Sequence, residues 1–113
     1  MDNDSKNVLM QYLYRMSEKA GIEGGSQVSF RKREGLLLQL KNRDHDAWIV
    51  ISRLFDAFLR EDRISNDREK KESAFTLWSS EHAAAEKEKV QAEQDLITFC
   101  RMRDIPIGLA AGV

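Results

Sequence analysis

Ala47-Trp48-Ile49-Val50-Ile51-Ser52-Arg53-Leu54-Phe55-Asp56-Ala57-Phe58-Leu59 decides the fold class, because ten of its thirteen residues are apolar. At the ~100° turn per residue of an α-helix, Ser52, Arg53 and Asp56 fall on one narrow arc, with Arg60 and Arg63 beside it. The apolar side chains cover the opposite ~200°, about twice the width that an ordinary surface helix needs. A helix is therefore predicted from a cap at Asp44 or Asp46 to about Arg63. It must be covered on two sides, either by the rest of the chain or partly by a second copy.

Working outward toward the N-terminus, Val8, Leu9, Tyr12, Leu13 and Met16 recur at steps of three and four, which predicts a helix over about Ser5 to Ala20. Asp4 or Ser5 is placed to cap its start. Gly21 supplies a left-handed residue for its end, with Ile22 placed for the hydrophobic contact that follows such a turn. Gly24-Gly25-Ser26 reads as a loop. Val28-Ser29-Phe30 alternates apolar and polar, the signal of one short strand. Glu34 to Leu40 carries Leu36, Leu37, Leu38 and Leu40 and reads as a further helix, weakened at Gly35.

Toward the C-terminus, Ser65-Asn66-Asp67 interrupts the pattern, and Asn66 with Glu69 has capping-box spacing. No glycine or proline follows until after Arg103. One helix over 67–103 would be about 55 Å long, against a radius of gyration of about 13 Å for a compact chain of this size. It needs a break, expected at Ser79-Ser80, or a partner along its length. The expected architecture is all-α, with four to five helices in one domain and a helix-packed dimer. The N-terminal helix and loop take 1–25 and a helical hairpin 26–64. A long or broken helix takes 65–104, and a tail with no charge after Asp104 takes 105–113.

The chain has 113 residues, a net charge of −1, 42% hydrophobic residues, one proline and one cysteine. That composition fits a folded single domain and excludes disorder, collagen-like sequence and a disulfide framework. The acidic start and the short apolar runs give no leader or membrane signal, so a cytoplasmic protein is expected.

Chemistry-bearing residues are sparse. His45 between Asp44 and Asp46 has no motif-level specificity. His82 and Glu86 stand four apart, but zinc wants three or four ligands and no neighbour in sequence supplies the rest. No metal and no cofactor are therefore expected. Cys100, among Leu96, Ile97, Phe99 and Met102, reads as a buried apolar residue. Neither a phosphate-binding loop nor a nucleophile elbow is present. The chain is read as not an enzyme.

The aromatic residues point to interfaces, where large rigid anchors carry most binding energy. Trp48, Ile51, Phe55 and Phe58 are assigned to self-association or core. Phe75 and Trp78, with Lys71 nearby, are assigned to a partner protein. The preferred reading is a small helical regulator that binds and controls another protein, as an antiactivator of a transcription regulator does. It would be a cytoplasmic homodimer with no membrane partner and no expected nucleic-acid partner. The alternative rests on the order of strand (Val28 to Phe30), helix (Glu34 to Lys41) and helix (Ala47 to Arg63), which resembles a ribbon-helix-helix domain. That resemblance implies a nucleic-acid-binding dimer, with the basic Arg31-Lys32-Arg33 meeting phosphates.

Overall fold

The structure is a computed structural model that describes residues 1–107. Of the expected tail, residues 108–113 lie outside the described residues. The fold is all-helical, with five α-helices and no strand among the described residues. They are α1 (Asn3–Lys19), α2 (Arg33–Arg43), α3 (His45–Ser65), α4 (Arg68–Ser73) and α5 (Phe75–Met102).

Helix α1 starts at Asn3, two residues earlier than expected, because Asp2 rather than Asp4 or Ser5 caps it: the Asp2 carboxylate accepts from the Ser5 amide at 2.7 Å. Leu9, Tyr12, Leu13 and Met16 are buried, as their spacing predicts, and Met10 joins them. Val8, on the same predicted face, lies half out of the core. The helix ends at a left-handed Gly21 (φ 82°). The Gly21 amide donates to the Glu18 carbonyl and the Ile22 amide to the Ser17 carbonyl, and Ile22 is buried behind them. Helix α5 ends the same way: Asp104 (φ 56°) donates to Arg101, Ile105 donates to Cys100, and Ile105 is buried. Both ends thus settle two orphan carbonyls and insert an isoleucine into the core.

The strand expected at Val28 to Phe30 does not form. Val28 is extended, but the Tyr14 hydroxyl takes its carbonyl. The Ser29 carbonyl accepts from Lys32 within a short helical turn over Phe30–Lys32. Val28 and Ser29 are both extended, but with one carbonyl taken by a side chain and the other by a local turn they form no ladder.

Helix α3 is central. Asp44 caps it, accepting from the Ala47 amide at 3.2 Å. It packs against α1, α2 and α5. Within the chain, Ala47, Ile51, Leu54, Phe55 and Ala57 are buried, Trp48, Val50, Phe58 and Leu59 are partly covered, and Ile49 is 44% exposed. Leu9, Leu13, Leu36, Leu40, Ile51, Leu54 and Leu96 form the fully buried centre. Buried Ala57 on α3 and Ala85 and Ala92 on α5 allow the helices to approach closely.

The C-terminal region does break, but at Ala74 and not at Ser79-Ser80. Asp67 rather than Asn66 starts α4, its carboxylate accepting from the Lys70 amide. Ala74 then leaves helical geometry (φ −142°, ψ 56°). Two tertiary contacts brace the break: Lys70 of α4 binds Glu81 of α5 at 2.7 Å, and the Trp78 indole of α5 donates to the Ile64 carbonyl of α3 at 2.7 Å. Downstream, α5 runs unbroken for 28 residues, about 42 Å. It sets the 49 Å long axis of the molecule and has α3 and α4 as its support. No helix among the described residues is long and apolar enough to cross a membrane.

Candidate functional site

The α3–α5 hairpin carries most of the molecule's organised polar chemistry. Arg53 pairs with Asp95 at 3.0 Å, and Arg60 pairs with Glu88. Both partners step by seven residues in opposite directions along their helices, which fixes an antiparallel register. These pairs are well exposed and contribute little to stability at ~0–1 kcal/mol each. Their effect is on alignment.

The register brings Glu61 of α3 between His82 and Lys89 of α5. Glu61 Oε1 accepts from Lys89 Nζ at 3.1 Å, and Glu61 Oε2 lies 3.1 Å from His82 Nε2. Glu86 Oε1 lies 3.9 Å from the same imidazole nitrogen. One ligand atom each from Glu61, His82 and Glu86 lies within 4.8 Å of the others. The His82 ring stacks on Trp78 (centroids 5.0 Å apart, planes at 15°). Lys89 Nζ also sits over the Phe58 ring at 4.9 Å. His82 and Glu86 thus acquire the third donor that their sequence neighbourhood lacks. Glu61 is 21 residues away from His82, and only the seven-residue spacing of Arg53, Arg60, Glu88 and Asp95 could have placed it there.

Phe75, Trp78 and Lys71 do come together. The two rings lie 5.8 Å apart, and Lys71 Nζ is 5.0 Å from the indole centroid on the other helix. Phe75 is 57% exposed and Leu77 54%. Trp78 is only half-buried, but its N–H is committed to Ile64 and its face to His82. The indole is therefore a fixed piece of the hairpin end, and Phe75 is the freely accessible member of the pair.

The group assigned to self-association separates. Ile51 is fully buried and Phe55 is 2% exposed, both inside their own chain. They are core residues, so within this group direct contact with a second copy is left to Trp48 and Phe58. Trp48 and Phe58 are half-buried. Trp48, Leu37, Leu38, Phe55 and Leu59 line a groove of about 330 Å³ between α2 and α3. Lys41 Nζ stands 4.7 Å from the Trp48 ring at its edge.

The basic triplet is also divided. The Arg33 guanidinium stacks 4.2 Å from the Phe30 ring and donates to the Phe30 carbonyl. Arg31 and Lys32 are exposed. No strand is present among the described residues, and Arg31 and Lys32 stand on a short helical turn rather than on an extended ribbon. Asp44 and Asp46 flank His45 but turn to Arg103, at 3.5 and 3.4 Å. Cys100 is buried, and burial pushes its thiol up to about 11, away from nucleophilic chemistry. No protein-family model, no curated protein and no solved structure matches the chain.

Proposed function

We propose that this chain is a non-enzymatic helical regulatory protein that binds and controls a partner protein, in the manner of an antiactivator of a transcription regulator. Its contact surface is the corner formed by Phe75, Trp78 and Lys71. The observation that carries the reading is the state of this aromatic pair. Phe75 is largely in water, while Trp78 beside it is pinned by the Ile64 carbonyl and the His82 ring. A large aromatic surface already held in one geometry loses little freedom on binding, which is where hot-spot affinity comes from. Lys71, Glu72 and Arg68 supply a charged rim at exposed positions.

Phe75→Asp is the informative variant. An aspartate at the first turn of α5 favours the helix start, and Phe75 is exposed, so stability should change by no more than about 0.5 kcal/mol. Binding should weaken by about 2 kcal/mol or more, some thirtyfold. Pull-down from source lysate after nuclease treatment checks this, with wild type and variant compared. The reading expects a protein retained by wild type and lost by the variant. Capture that disappears with nuclease, or that the variant keeps in full, would remove the assignment.

A further inference from the structure

We propose that Glu61, His82 and Glu86 form a zinc-binding site that clamps α3 to α5. His82 and Glu86 stand four apart on α5, so they share one face and aim at the same volume. Glu61 enters that volume from α3. In a tetrahedral zinc site with nitrogen and oxygen ligands, metal bonds of about 2.0–2.2 Å place the ligand atoms roughly 3.3–3.5 Å apart. The observed separations from His82 Nε2 are 3.1 Å to Glu61 and 3.9 Å to Glu86. Sub-ångström adjustments at those two pairs, and closure of the third, bring the set to bonding geometry.

The surroundings favour an ion over a simple ion pair. The imidazole is oriented by its stack on Trp78, and the indole is itself fixed by the Ile64 carbonyl. Lys89 holds Glu61 Oε1 and so leaves Oε2 to face the imidazole. A hydrogen bond such as that from Lys89 to Glu61, made from outside the ligands, fixes ligand direction in metal sites. With a neutral imidazole, two carboxylates and one ammonium leave the cluster at −1, which a divalent cation reverses. Glu61 and His82 side chains are 16% and 25% exposed, whereas Glu86 is 56% exposed. The site is walled by the hairpin and open beside Glu86, where water completes the fourth position. The ion takes the place of the hydrogen on Nε2, which passes to Nδ1 of the neutral ring. The one nitrogen ligand selects zinc over magnesium and calcium, which take six or more oxygens.

The test uses the full chain and ZnCl2 alone. Calorimetric titration should show one ion bound per chain, and the thermal midpoint should rise with Zn2+ and saturate. Magnesium at equal concentration should leave the midpoint unchanged. Glu86→Gln alters an exposed side chain and should weaken zinc binding about tenfold or more. His82→Phe keeps a ring on Trp78 and should abolish binding, while His45→Ala should bind as wild type. Wild type with no saturable zinc binding would overturn the proposal. So would Glu86→Gln and His82→Phe binding zinc with wild-type affinity.

Discussion

Phe55→Ala should cost about 3–5 kcal/mol of stability, the range for removing a buried aromatic ring. A domain of this size has about 5–15 kcal/mol in total, so the variant should sit close to unfolding. Phe55 is 2% exposed, its ring is 6.1 Å from that of Phe30, and the Arg33 guanidinium lies near both. Losing it opens the junction of α2, α3 and the turn before α2. Urea unfolding at two protein concentrations a hundredfold apart separates this from a role in self-association. A core residue shifts the midpoint equally at both, whereas an interface makes the midpoint depend on concentration. A variant with wild-type stability and a changed oligomeric state would refute the core assignment.

Trp78→Ala should cost about 2–4 kcal/mol, somewhat below the fully buried range because the indole is half exposed. The loss combines ring area, the stack on His82 and the hydrogen bond to the Ile64 carbonyl. Trp78→Phe should recover most of it and leave a deficit of about 1 kcal/mol, the net worth of one hydrogen bond. Chemical denaturation of the two variants side by side measures the difference. Trp78→Ala with unchanged stability would mean that the indole belongs to the surface and that its fixed geometry has no energetic content. From sequence alone that unchanged outcome is the expected one, because the polar residues after Trp78 read as a rim. In the proposed reading, partner contact then falls to Phe75, the exposed ring of the pair.

The helices were legible because their signals are local. The steps of three and four in α1, the Asp44 cap and the Gly21–Ile22 ending all act within a few residues, and each forms as its chemistry dictates. The ~200° apolar arc of α3 called for cover on two sides, but it left open whether the same chain or a second copy supplies it. What stayed hidden depends on register between distant segments. Glu61 meets His82 only because α3 and α5 align, and no spacing within either helix reveals the pair. The break at Ala74 has the same origin: Lys70–Glu81 ties α4 to α5 and Trp78–Ile64 ties α5 to α3 across it, while Ser79 and Ser80 continue a helix that tertiary contact supports. The strand at Val28 failed for a related reason, since alternation marks an extended residue but does not provide a neighbouring strand.

The composition of the α3–α5 seam changes along its length: Ile51, Leu54, Ala92 and Leu96 are sealed at one end, and Glu61, His82 and Lys89 fill the other. Helix α4 at the polar end has six residues and buries none of them, too few to persist as a helix on its own. The molecule should therefore breathe from that end. Amide hydrogens of α4 and the first turns of α5 should exchange with solvent through local opening, at a free energy well below that of global unfolding. Those around Leu54 and Leu96 should exchange only when the whole chain unfolds. Lys71 then lies on the part of the molecule that opens most readily, and Phe75 lies at its border with the pinned Trp78. A partner gripping that corner would lower its exchange rates while leaving the opposite end unaltered.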